Sequence, residues 1–107
     1  QWVLDNPGSS FLQEVDEEFL LITRLRLAKI KIAQGEAQAA LDLLHAAQPG
    51  AFAGSYAEVE GDALVNIGQL DAARSAYERA LVADTEANPV ILRLKLQDLG
   101  ANTQDTL

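Results

Sequence analysis

Residues 19–32 read FLLITRLRLAKIKI, and from Thr23 onward polar and apolar side chains alternate as they would in a half-buried strand. Two features point instead to a helix. The apolar run extends back through Phe19, Leu20, Leu21 and Ile22 without a turn residue, which makes the element long for a strand. At helical spacing Leu21, Leu25, Ala28 and Ile32 share one face, and Leu20, Leu27 and Ile30 lie on a neighbouring one. A helix that is apolar on two faces suits a stack of helix pairs, where each helix touches neighbours on both sides.

Outward from this segment the helical reading continues. The 107 residues include 18 Ala and 17 Leu but only six aromatics and three prolines, so the two strongest helix formers dominate and the fold class is all-α. Ser10 with Gln13 has the form of a capping box and predicts a helix start there. Glu14, Asp16, Glu17 and Glu18 would then sit near the positive end of the helix dipole, with Lys29 and Lys31 toward the negative end. Gly35 closes this helix. A second is predicted over 37–47, with Ala40, Leu41, Leu44 and Ala47 spaced for burial, and Gln48-Pro49-Gly50 stops it. A third covers 55–67 and ends at Gly68. A fourth, 71–83, carries Ala73, Ala76, Tyr77, Ala80 and Leu81 on its buried side. A fifth starts after Asn88-Pro89, with Pro in the first turn, and ends near Gly100. Trp2 to Pro7 reads as the end of an earlier helix, broken at Pro7-Gly8, and 101–107 as a polar, frayed tail.

Sliding the chain along itself until Gly35 falls on Gly68 superposes two of these helix pairs. At that one offset Ala39 and Ala40 fall on Ala72 and Ala73, Leu44 on Tyr77, Ala47 on Ala80, and Ala28 on Gly61. The pattern resembles the tetratricopeptide repeat, whose period is about 34 residues. Gly61, Gly68, Ala73, Tyr77 and Ala80 stand at that repeat's small, turn, small, aromatic and small positions, although Ala57 replaces the usual Trp and Thr85 the usual Pro. The expected organisation is a single tetratricopeptide-like α-solenoid domain. Residues 1–18 supply the end of a preceding repeat and a connecting segment, 19–50 and 51–85 two repeats, 86–100 a capping helix and 101–107 a tail.

The segments LRLAKIKIAQGEAQAALDLL (25–44) and GDALVNIGQLDAARSAYERAL (61–81) look like the C-terminal half of the YfgM family. That resemblance spans roughly 15–99. It implies an ancillary subunit of the SecYEG translocon, held at the periplasmic side of the bacterial inner membrane by one N-terminal membrane helix and linked to periplasmic chaperones such as PpiD or to nascent clients. The chain begins with Gln1 and has no Met, so it reads as a piece or processed product of a longer protein, with the anchor expected upstream.

Composition narrows the function. Eight Lys and Arg against 16 Asp and Glu give a net charge of −8, which argues against nucleic acid and against an anionic membrane surface as partners. No apolar run approaches the ~18–20 residues of a membrane span. Cysteine is absent, which excludes disulfides and thiolate chemistry. His45 is the only histidine and has no sequence partner for a metal site or a triad. Glu58, Glu60 and Asp62 fit a solvated helix face better than an acid–base pair. Arg24, Arg26, Lys29 and Lys31 are offset by nearby acids. The expectation is a non-enzymatic protein-interaction module with no cofactor and no metal. The competing expectation is a self-associating scaffold that forms a homo-oligomer through an uncapped end.

In this repeat class the first helix of each pair lines the concave surface. Carrying those positions over names Ile22, Leu25, Lys29 and Ile32 in the first unit and Ser55, Glu58, Asp62, Val65 and Asn66 in the second. The first set is unusually apolar. Either Ile22, Leu25 and Ile32 form an open groove, and so a binding patch, or the 8–18 segment or the fifth helix covers them as core.

Overall fold

In the computed structural model, residues 7–83 and 87–105 are described, with side chains over 13–83 and 87–100. Among the described residues five helices occur in order: α1 (Pro7–Ala33), α2 (Ala37–His45), α3 (Ala53–Asn66), α4 (Leu70–Val82) and α5 (Pro89–Asp105). A single 3-10 turn, Gly50–Phe52, leads into α3. No strand occurs among the described residues, and the alternating stretch 23–32 lies wholly within α1. The β-branched Thr23 is accommodated there because its hydroxyl donates to the Phe19 carbonyl one turn back, at 2.8 Å.

Two turns of the same construction make the hairpins. At the end of α1 the Gly35 N–H donates to Ile32 O (3.0 Å) and the Glu36 N–H to Lys31 O (2.8 Å). At the matching point one repeat later, the end of α3, Gly68 N–H donates to Val65 O (3.0 Å) and Gln69 N–H to Leu64 O (2.9 Å). These are Schellman closures, which need a left-handed residue just past the helix. Gly35 has φ +80° and Gly68 φ +82°. The chain reverses identically at both points, so α1–α2 and α3–α4 form equivalent pairs.

The pairs close on small residues. Ala28, Ala40, Ala63, Ala73 and Ala76 lose all exposed surface. Gly61 on α3 lies so close beneath the Tyr77 ring of α4 that a Cβ there would sit 2.6 Å from Cδ1. In the first pair the corresponding residues are Ala28 and a buried Leu44. A larger ring on one helix is thus matched by a smaller residue on the other, and the volume between the axes is kept. Between pairs, α1 packs on α3 as well as α2, α3 bridges α2 and α4, and α5 packs on α4 through Leu92 and Leu99. The result is an elongated stack of 65 × 27 × 16 Å. Asn88 Oδ1 accepts the Val90 N–H at 2.9 Å, capping α5 with Pro89 in its first turn.

Several boundaries differ from expectation. Pro7 is the first residue of α1, where its fixed φ suits the first helical position; the expected end of an earlier helix at 2–6 lies outside the described residues. Position 10 therefore lies inside α1 rather than at its start, and 8–18 is helical. Glu14 to Glu18 fall beyond the first turn, where the helix dipole has little hold on them. α2 ends at His45, short of 47, and α3 begins at Ala53 rather than 55. Gly100 does not end α5, which runs on to Asp105. Its φ is not positive, and without a left-handed turn glycine does not stop a helix. Residues 1–6, Thr85 and 106–107 lie outside the described residues. No helix among the described residues is long and apolar enough to cross a membrane.

The glycines separate these roles by experiment. Gly68→Ala should cost about 1–2 kcal/mol in urea unfolding, since alanine is strained at positive φ. Gly100→Ala, in helical backbone with nothing within 4 Å of the new Cβ, should gain about 0.5–1 kcal/mol. Gly61→Ala should lose about 1–3 kcal/mol by overpacking against Tyr77, and adding Tyr77→Leu should recover part of that loss by restoring the pairing of the first unit.

Candidate protein-binding surface

The concave positions divide by burial. Leu25 is 9% exposed and belongs to the core, and Ile32 packs against that core from a half-buried position. Ile22 is also half-buried, while Lys29 and Asn66 are exposed. The apolar set is therefore largely taken up in packing α1 against α2 and α3, and it does not line an open apolar groove. Ser55, Glu58, Val65 and Asp62 are intermediate.

Glu58 and Asp62 lie one turn apart on α3 and converge on a cation that the repeat positions did not single out. The Lys95 ammonium of α5 donates to Glu58 Oε2 at 2.8 Å and to both Asp62 oxygens at 3.0 Å. The Tyr77 hydroxyl of α4 donates to Asp62 Oδ1 at 2.6 Å, and Lys95 Nζ stands 5.7 Å from the Tyr77 ring centroid. Three helices meet in this cluster. Burial alone would lower the Lys95 pKa, but the hydrogen bonds and charges of Glu58 and Asp62 outweigh it and raise the pKa. Burial pushes the Tyr77 hydroxyl well above the ordinary tyrosine range, with the Asp62 hydrogen bond and charge adding to it. Lys95 comes after Asp62 at the same interval by which Asp62 comes after Lys29. Repeating the shift once more along the chain would have pointed to it.

The other acid of α3 is also partnered. Glu60 accepts from Arg79 Nη2 at 2.8 Å, and His45 Nε2 lies 3.6 Å from the same oxygen. His45 itself is a surface residue, its side chain 60% exposed. Two donors fasten α1 through backbone carbonyls: the buried Tyr56 hydroxyl donates to Leu21 O (2.6 Å), and Arg24 Nη1 to Leu43 O at the end of α2 (3.2 Å). Among the described residues no group of His, Asp and Glu is arranged to hold a metal ion.

Equal glycine turns one repeat apart, small residues at each crossing and helices stacked in pairs define a helical repeat. The sequence model of the tetratricopeptide repeat-like domain matches residues 8–101. The chain belongs to that family. It is also 32% identical over 86 residues to the ancillary SecYEG translocon subunit of Escherichia coli K12, a match that takes in 79% of this chain and 42% of that protein. The chain thus spans about two fifths of the length of the curated relative it matches. The resemblance read from 25–44 and 61–81 is borne out by this relative. No solved structure matches the chain.

The three-helix cluster makes a pH prediction with a definite sign. Both Lys95 and Tyr77 have folded-state pKa values raised above the unfolded ones. Their contribution is present in full below about pH 10 and is lost as pH rises through the folded values. Stability measured by urea unfolding should therefore fall on the alkaline side of about pH 10. Lys95→Met should cost about 1–2 kcal/mol near neutral pH, where it strands two half-buried carboxylates, and the gap between variant and wild type should close as pH rises above about 10.5.

Proposed function

We propose that this chain is the polypeptide-binding repeat domain of an ancillary Sec translocon subunit. It acts without catalysis on the periplasmic side of the bacterial inner membrane. It joins the translocon to periplasmic chaperones, of which PpiD is the one the family resemblance suggests, or to clients emerging from it. The observation that carries this reading is the match to the E. coli translocon subunit along most of the chain, on a fold whose repeats present side chains for recognition rather than for chemistry. The division into repeats at 19–50 and 51–85, closed by the helix from 86 onward, belongs to the same reading, and the matched turns at Gly35 and Gly68 support it.

The concave candidates now carry different weights. Lys29 and Asn66 are the exposed members and the ones a partner meets directly. Ile22 and Ser55 flank them. Glu58 and Asp62 act through Lys95, so substituting them disturbs the seat of α5 as well as any contact. Leu25 and Ile32 support the surface from beneath.

Photo-crosslinking in the native membrane tests this. A crosslinker placed at Lys29 or Asn66 of the full protein should give adducts with translocon subunits or a periplasmic chaperone. Adducts solely between copies of the protein would overturn the reading in favour of a self-associating scaffold.

A further inference from the structure

α1 is about 40 Å long and α2 about 13 Å, so the N-terminal half of α1 projects past the hairpins it packs on. Every described residue from Gln13 to Leu20 is exposed. The row Leu21, Leu25, Ala28 and Ile32, which meets the core, continues toward the N-terminus at the same helical spacing as Glu18 and Glu14. The side of α1 that would bury against a neighbouring helix therefore changes from apolar to acidic where the described helices packed on it stop.

A notch of about 520 Å³ lies between this overhang and the turn after α2. Glu14, Glu17 and Glu18 line it, with Leu20, Leu21 and Ala47 supplying apolar surface. Leu20 is 63% and the adjacent Phe19 65% exposed. Arg24, also at the notch, is engaged with the Leu43 carbonyl. None of the three carboxylates forms an ion pair among the described residues.

We propose that this unpartnered face of α1 docks a cationic amphipathic segment of a partner polypeptide. The apolar side chains of that segment would rest on Leu20, Leu21 and Ala47, and its Lys or Arg groups would reach the three glutamates. Charge decides among occupants. An apolar helix would desolvate three carboxylates without compensation, and a second copy of this chain brings a further net −8. Lysine and arginine fit both parts of the notch, because their stems cover apolar surface while their heads stay with the acids. The acidic chain also draws such a partner in from a distance. The proposal rests on the chain being a polypeptide-binding domain, but on a surface other than the concave one and whichever partner supplies the segment.

Two labelled peptides test it by fluorescence anisotropy against the purified chain. One has Leu at i, i+3, i+4 and i+7 flanked by Lys, and the other has Glu in place of every Lys. The Lys peptide should bind, and its affinity should fall about tenfold or more as salt is raised from about 50 to 500 mM. The Glu peptide should not bind. Glu14→Gln, Glu17→Gln and Glu18→Gln together, or Leu20→Ser alone, should each weaken the Lys peptide about tenfold with helicity unchanged by circular dichroism. Lys29→Ala and Asn66→Ala should leave it unaffected, which separates this surface from the concave one. Equal binding of the two peptides, no binding of either, full binding by the triple glutamine variant, or a dimer of the chain that covers Leu20 would each overturn the proposal.

Discussion

The backbone reversal at Gly35 and Gly68 sets the geometry of the whole stack. A residue with φ near +80° lets its own N–H and that of the following residue turn back onto the last helical carbonyls, so helix and turn end together. The direction in which the chain leaves is then fixed, and so is the face the next helix presents. Because both turns have the same hydrogen bonds, α2 meets α1 and α4 meets α3 at corresponding residues, with Ala40 and Ala73 both fully buried. Side-chain size can then vary only in compensating pairs. Leu44 works with Ala28, and Tyr77 requires Gly61.

Close packing on alanine leaves little apolar area per residue to hold successive pairs in register. Polar links supply that register, and two of them end on backbone carbonyls rather than on other side chains. Tyr56 reaches Leu21 O and Arg24 reaches Leu43 O, so α1 is gripped at points that no side-chain substitution on the acceptor would remove. At the other end of the stack, Lys95 gathers Glu58 and Asp62 while Tyr77 holds Asp62 in place. A cation with three hydrogen bonds to two carboxylates offsets its own desolvation. Single exposed pairs such as Lys31 with Glu36, at 3.5 Å, contribute far less.

Helix type and repeat were legible because both are periodic. The strand-like alternation of 23–32 gave way once the apolar pattern was traced back to Phe19, and the self-superposition of the chain located both turns. What escaped the sequence was conformational or tertiary. Gly100 and Gly68 are the same residue type, and only the sign of φ, set by whether a further helix folds back, distinguishes a stop from a helical position. Ser10 with Gln13 has capping spacing, yet Pro7 starts the helix first. The Lys95 cluster joins positions 33 and 37 apart in the chain, a separation at which no local rule applies. The concave candidates fall on α1 and α3, but their availability depends on burial, and Leu25 is part of the core.

The inward turn of Leu25 bears on how such a domain recognises anything. With α2 and α3 packed on α1, Leu25 is drawn into the core instead of lining an open surface. The surface that remains is mixed, with Leu20, Leu27 and Ile30 exposed on α1 beside charged residues, so charge placement as well as apolar area sets what it accepts. The acids of α3 show one half of this logic: they are neutralised internally by Lys95 and Arg79. The acids of the α1 overhang show the other half. Glu14, Glu17 and Glu18 lie beside the exposed Leu20, and the one cation lining the same notch among the described residues, Arg24, is engaged with the Leu43 carbonyl rather than with them. Apolar surface left beside uncompensated carboxylates gains nothing for the fold, and a cation with an apolar stem would match both.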